Sequence, residues 1–498
     1  MKMKNWRLNL DKAAICLAVL YVVLPIVIFG FGWLKLPYAI ILGVILAGLA
    51  YKLFETLCEN ETQLFTKDSV KYWLIVIGVC MLWVYFSGIG GFCFQNKDFW
   101  ARNPIYRDLS IYQWPVIYDL SQEPEAIQKV VSSDHVSLSY YFAWWLVPAL
   151  LSKIFHMGDA MRNIVLYGWA LLGVFLVLYC INRLLKRYSY LAVFVFIFFS
   201  GLDVVMFTLR QQRINFTDEM EWWADYFQYS ANNTQLFFVF NQSIPIWLIT
   251  ALVLLLMKNN KYIAGIASLS IAYSPWATFG MVPIALAGTF GKDKKLKDML
   301  NPFNILAPLA MLIVYGSFYM ASNGSDGGFG LIFSKYPNQT HQILCTYLVF
   351  VFIEVGAYFC VMGSQIKKYP YYWVVLIELI IFPLFYFRDK NFVMRGTIPA
   401  LFILTVFVIK YMLEPATENE HKIRKRIMVV LLILGMMTPL TDLNRTMFKT
   451  IDNSNIIEDD VYSFGNMQTD NEEHIEKSKT QFFVYEYEDT FFFKYLAK

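Results

Sequence analysis

Apolar runs of about twenty residues, repeated from one end of the chain to the other, restrict what this sequence can fold into. AAICLAVLYVVLPIVIFGFGWL (13–34) and YLAVFVFIFFSGL (190–202) are two of many. In hydrocarbon every backbone N–H and C=O must find an internal partner, so runs of ~20 apolar residues form spanning helices. Only 16% of the 498 residues are charged, against 57% hydrophobic and 18% aromatic. A soluble domain carries about 25% charged residues. The expectation is an all-α polytopic membrane protein. The first run is too long for a cleaved signal and leads directly into a second span.

The net charge of +4 points to no nucleic-acid partner. The seven cysteines (16, 58, 80, 93, 180, 345, 360) fall mostly in predicted helices with no CxxC pair, so no disulfide framework is expected. The five scattered histidines give no metal motif. No GxxxxGK[ST], GxGxxG or HExxH is present, which argues against a nucleotide-driven machine.

Lysine and arginine in short loops mark the cytoplasmic side. MKMKNWR, NRLLKR (182–187), KNNK (258–261), KDKKLKD (292–298), QIKKY (365–369) and HKIRKR (421–426) all read as cytoplasmic. The count is then about 13 spans, with the N-terminus cytoplasmic and the C-terminus external. This requires one of 139–155 and 163–181 to lie partly in the interface, and the tryptophan-rich first is the choice. Residues 263–290 are short for two crossings and predict a re-entrant hairpin near Pro275. The polytopic domain is taken as 1–442, with external loops at about 91–138, 203–236 and 388–396. Residues 443–498 are read as a short external tail whose FFFKYLAK end docks back on the membrane. No internal repeat is visible, against the inverted-repeat carriers.

The unusual residues gather on the predicted external side. Residues 90–120, GGFCFQNKDFWARNPIYRDLSIYQWPVIYDL, hold Asp98, Arg102, Arg107, Asp108 and Trp114. Asp98 follows a span closely enough to stay near the headgroup plane. Asp108 lies farther on and reads as structural or as a second acidic partner. Asp203 interrupts an apolar run, where an ionisable side chain usually faces the bundle interior or a cavity. Beyond it, Arg210, Arg213, Glu221, Trp222, Trp223, Asp225 and Tyr229 combine aromatic faces with carboxylates, a pairing suited to a sugar ring. In YFRDKNFVMRGTIPALF, Arg388, Asp389, Lys390 and Arg395 flank two helices, and arginine there suits a phosphate.

With these residues in view, the chain resembles the GT-C class of integral-membrane glycosyltransferases. The resemblance rests on the large first loop with its acidic residue, and locally on NKDFWARNPIYRDLSIYQWPV, YYFAWWLVPALLSKIF, EWWADYFQYSANNTQL, PWATFGMVPIAL and NFVMRGTIPALF. These segments are similar to a bacterial branch near the protein O-mannosyltransferases and aminoarabinose transferases. The chain departs from better-known members by two extra N-terminal helices and by lacking a large C-terminal globular domain. The resemblance implies an enzyme of the bacterial cytoplasmic membrane that takes a sugar from a polyprenyl-phosphate donor. The acceptor would be a hydroxyl of a glycan, lipid or protein, with Asp98 as general base and inversion at the anomeric carbon. Arg395 and Arg388 would hold the phosphate, and Arg102, Arg107, Trp114, Trp222 and Trp223 would contact substrate. Asp203 and Glu221 would orient the acceptor or bind a divalent cation (Mg or Mn), a choice the sequence does not decide. The competing expectations are a carrier or flippase for a lipid-linked glycan, and a glycan polymerase or ligase.

Overall fold

The computed structural model describes residues 10–59, 62–121, 135–212, 218–257, 261–290, 300–322, 328–387, 391–416, 418–452, 462–465 and 481–498. Among these residues, 8 helices are long and apolar enough to cross a membrane: Leu10–Trp33, Leu36–Cys58, Asp159–Leu185, Tyr190–Gln211, Asn232–Leu256, Pro302–Met320, Pro337–Ile366 and Asn419–Ile451. Shorter apolar helices cover Val70–Phe86, Ala143–Ile154, Ile263–Tyr273, Tyr372–Leu384 and Ile398–Leu413. The chain is an all-α, multi-pass membrane protein.

Helix Asn232–Leu256 is the hub. It is buried over 94% of its apolar window, whereas Leu36–Cys58 is buried over only 28% and turns Ile40, Ile41, Val44 and Tyr51 outward. A helix apolar all round sits inside a bundle, and exposed aliphatic faces suit lipid. The hub packs on Asp159–Leu185, Ile398–Leu413 and Leu10–Trp33. Local signals set several helix starts. The Ser189 hydroxyl accepts from Ala192 N–H, the Asn301 side chain accepts from Phe303 and Asn304 N–H, and Pro37 stands in the first turn of Leu36–Cys58.

The two candidate spans at 139–155 and 163–181 separate by length. Ala143–Ile154 makes a short helical segment, and Asp159–Leu185 runs for 27 residues. At 263–290 the chain forms two helices that meet at Ser274, with Pro275 opening the second.

Helix Met437–Ile451 runs straight through residue 442 and continues the span that begins at Asn419, because its polar residues face a buried site rather than solvent. The end of the chain also docks on protein. Phe483–Val484 joins Ile117–Asp119 and His135–Leu138 in an antiparallel sheet, through Ser137↔Val484 and Ile117↔Ser137. Farther on, Lys35 N–H donates to Leu496 O at 2.8 Å and Lys498 N–H to Trp33 O at 2.9 Å, with Phe492 buried beneath. The cysteines are all free; Cys345 and Cys360 are exposed, while Cys80, Cys93 and Cys180 are buried.

Candidate active site

A break in the hub begins the site. Val239 leaves helical geometry (φ −138, ψ 36), which frees carbonyls of the preceding turn. Two side chains take them up: Asn96 donates to Phe237 O at 2.8 Å, and Ser243 donates to Gln235 O at 3.1 Å. A helix kink needs such replacement partners. Asn96 also accepts from Asp98 N–H at 3.0 Å, and Arg102 donates to Asp98 Oδ2 at 3.0 Å from the next helical turn. The Asp98 carboxylate is therefore tethered at both backbone and side chain.

Around this break lies a cavity of about 200 Å³, lined by Lys97, Asp98, Glu219, Glu221, Trp222, Gln228, Thr234, Val239, Arg395, Thr438 and Asp442 with Met220, Phe238 and Met394. It draws on segments from the first loop to the last helix. Glu219 and Trp222 also border a second, larger cavity of about 620 Å³ that includes Arg210, Asp218, Asp225, Arg445 and Lys449. Trp222 is half exposed between the two, with Lys97 Nζ 5.6 Å from its ring centre.

Glu221 is buried in the short turn Met220–Ala224. Its carboxyl accepts from Ser230 Oγ at 2.7 Å, Gln228 Nε2 at 3.0 Å and Ala231 N–H at 2.8 Å. Burial, with Asp203 and Asp442 nearby, pushes it up to about 8. Glu219 is also raised by burial, against the pull of Arg445. Asp442 is buried, and Arg445 donates to its Oδ1 at 2.8 Å. Its Oδ2 accepts from Thr234 at 2.8 Å and Asn233 at 3.2 Å. Arg395 reaches the cavity from helix Asn391–Gly396, onto which Gly280 closes so tightly that a Cβ would lie 2.0 Å from Gly396 O.

The cavity thus brings together Asp98, Glu221, Trp222 and Arg395. Other residues singled out in the sequence lie elsewhere. Arg102 is buried behind Asp98 against Phe99 and Phe240. Arg107 stacks on Tyr462 at 4.4 Å and donates to its carbonyl. Trp114 stacks on Trp33 at 5.2 Å and donates to Leu109 O. Asp108 is fully buried, accepting from Tyr118 Oη at 2.8 Å and Phe464 N–H at 2.9 Å. Burial pushes it up to about 6. These three residues tie the first loop to its neighbours, and that is a structural task. Asp203 and Trp223 sit one layer beneath the cavity, where Thr438 donates to Asp203 Oδ2 at 3.0 Å. Arg388, Asp389, Lys390 and Arg213 lie outside the described residues.

Sequence reasoning missed Lys97, Glu219, Thr438, Asp442 and Arg445. The signal for the last three was present in TPLTDLNR (438–445), an Asp and Arg three apart on a helix that continues an apolar run. Among the described residues, no three His, Cys, Asp or Glu side chains gather as a metal site. The best carboxyls already have protein donors, Glu221 from its turn and Asp442 from Arg445 and Thr234.

Helix Met437–Ile451 has two functional faces. Thr438 and Asp442 face the cavity, while Leu440, Leu443 and Met447 line an apolar groove of about 720 Å³ with Val79, Leu82, Phe86 and Phe198. Fold and site together define a multi-pass helical membrane protein with a buried, acid-rich cavity beside an apolar groove. No family model, curated protein or solved structure matches the chain.

Proposed function

We propose that the protein is a glycosyltransferase of the GT-C type, using a polyprenyl-phosphate-linked sugar. The observation that carries this reading is the meeting in one cavity of a tethered carboxylate, a buried carboxyl, a half-exposed tryptophan and an arginine: Asp98, Glu221, Trp222 and Arg395. The sugar lies on Trp222 beside Glu221. Its phosphate meets Arg395 and Lys97. The lipid chain follows the groove between helices Val70–Phe86 and Met437–Ile451, whose apolar lining suits it.

The step is an inverting displacement. The acceptor hydroxyl oxygen bonds to the anomeric carbon, and the carbon–oxygen bond to phosphate breaks with its electron pair on the phosphate. Asp98 takes the hydroxyl proton, an action typically contributing about 10²–10⁴-fold. Arg395 stabilises the charge that develops on the leaving phosphate. In the same reading the shorter apolar helices complete about 13 crossings of the bacterial cytoplasmic membrane, with the cavity external. The C-terminus lies on that external face too.

A carrier of lipid-linked glycans is the second reading. It draws on Glu354 and Glu378, carboxyls buried inside apolar helices. Release of free lipid phosphate from a lipid-linked sugar extract separates the two. Wild type should release it and Asp98→Asn should not; equal release by both would defeat the transferase reading.

A further inference from the structure

Beneath the cavity, Asp203 and Glu354 form a pair with no counterpart among the residues assigned to the reaction. Their side chains come from different spans, and both are almost wholly inaccessible, at 1% and 2%. The helix that ends at Phe198 restarts at Asp203, and the intervening turn folds against the π-helical turn Phe352–Gly356 that carries Glu354. Leu202 N–H donates to Ile353 O at 3.3 Å, and Tyr358 Oη donates to Ser200 O at 2.7 Å. Gly201 permits the approach, since a Cβ there would lie 1.6 Å from Glu354 Oε2.

The pair's hydrogen-bond donors are neutral. Ser200 and Thr438 hydroxyls donate to Asp203 Oδ2 at 2.9 and 3.0 Å. The Trp223 indole N–H lies 3.2 Å from Asp203 Oδ1 and 2.9 Å from Glu354 Oε1. The two carboxyls therefore meet at one indole N–H. Neither has an ion-pair partner among the described residues; Arg445 pairs with Asp442 and Glu219. The titratable groups facing the pair are Glu221, Asp442, Tyr229 and Tyr358, none of them a cation. Two buried negative charges meeting at one neutral donor, with no ion-pair partner, would be strongly disfavoured, and one proton held between the carboxyls relieves this.

We propose that Asp203 and Glu354 share one proton and together act as the positioning pair that holds Trp223, and through it the Glu221–Trp222 wall of the cavity. Trp223 is the link. It follows Glu221 and Trp222 directly in the turn Met220–Ala224, so its anchored indole fixes which way that turn presents them. The significance of this wall for a sugar rests on the transferase reading, but the pair and its test do not.

The test uses the full-length protein in lipid nanodiscs without substrate. Infrared spectra of wild type and Glu354→Gln are subtracted, and hydrogen–deuterium exchange is followed over residues 218–231. Glu354→Gln retains an N–H donor for Asp203. It should lose protonated-carboxyl intensity while keeping wild-type exchange. Glu354→Leu removes the donor and should raise exchange in that segment about tenfold or more. Unchanged carboxyl intensity in Glu354→Gln would overturn the shared proton. Exchange in Glu354→Gln as fast as in Glu354→Leu, or no acceleration in Glu354→Leu, would overturn the positioning role. If Glu354→Leu does not fold, Trp223→Phe, which removes the shared N–H, takes its place: it should raise exchange in the same segment, and wild-type exchange would overturn the positioning role. Because no donor enters the experiment, these outcomes stand apart from loss or retention of transfer.

Discussion

Asn96 donates its side-chain N–H to the carbonyl of Phe237, 2.8 Å away, and thereby joins the first loop to the break in the central helix. The same side chain accepts from Asp98 N–H, so the helix break and the carboxylate share one support. Asn96→Ala should leave the Phe237 carbonyl without this donor and Asp98 without its backbone tether. Removing a partner from a buried group costs about 1–3 kcal/mol. The expected result is a lower thermal midpoint and a larger fall in kcat than in donor affinity. Wild-type kcat would show that Asn96 has no part in placing Asp98.

Asp442 and Arg445 should behave as one unit. Arg445→Met leaves a buried carboxylate without its cation, a change that typically costs about 3–5 kcal/mol. Asp442→Asn combined with Arg445→Met removes both charges, and its loss should be well below the sum of the two single losses. A thermal double-variant cycle measures this coupling. Simple additivity would mean that the ion pair at 2.8 Å contributes no coupling.

Glu221 gives the site a pH signature. Its carboxyl rises from 4.5 to about 8 through burial first, and then through Asp203 and Asp442. Because the folded value exceeds the unfolded one, the native state holds the extra proton. The associated stability is complete below about pH 4.5 and declines until about pH 8. Asp108, raised from 3.8 to about 6, contributes in the same direction but only up to about pH 6. Between pH 6 and 8 the decline in thermal midpoint should therefore flatten in Glu221→Gln. An unchanged slope would assign it to another group.

The C-terminal segment is a stabilising clasp in this account. Phe492 is buried between Phe29 and Phe318, with ring centres 6.2 and 5.1 Å away. Phe492→Ala should destabilise by about 3–5 kcal/mol, as other large-to-small core changes do. A thermal midpoint equal to wild type would mean that the segment docks without holding.

Periodic apolar runs made the helical membrane architecture legible, because a bilayer leaves the backbone few alternatives. The cavity was legible in part. Asp98, Glu221, Trp222 and Arg395 stand out as charges or aromatics where apolar spans end. Spacing alone does not tell which face a loop residue takes. Asp108 and Trp114 therefore look like site residues in sequence, yet they brace the loop beneath the surface. The burial of Asp442 was not legible, because nothing local marks a carboxylate at the end of an apolar run as buried; its partners Asn233 and Thr234 lie 209 and 208 positions earlier on the hub. Glu354 lies in an otherwise apolar helix, and its partner Asp203 is 151 positions earlier in the chain, beyond any local pattern.

The central claim is that Asp98 activates an acceptor for attack on a lipid-linked sugar. Mass spectrometry of lipids co-purifying with wild type and with Asp98→Asn tests it most directly. The account predicts a polyprenyl-phosphate sugar enriched on the Asp98→Asn protein, trapped before transfer, with its mass identifying the sugar class. Bulk phospholipid alone on both proteins, together with undiminished transfer by Asp98→Asn, would contradict it.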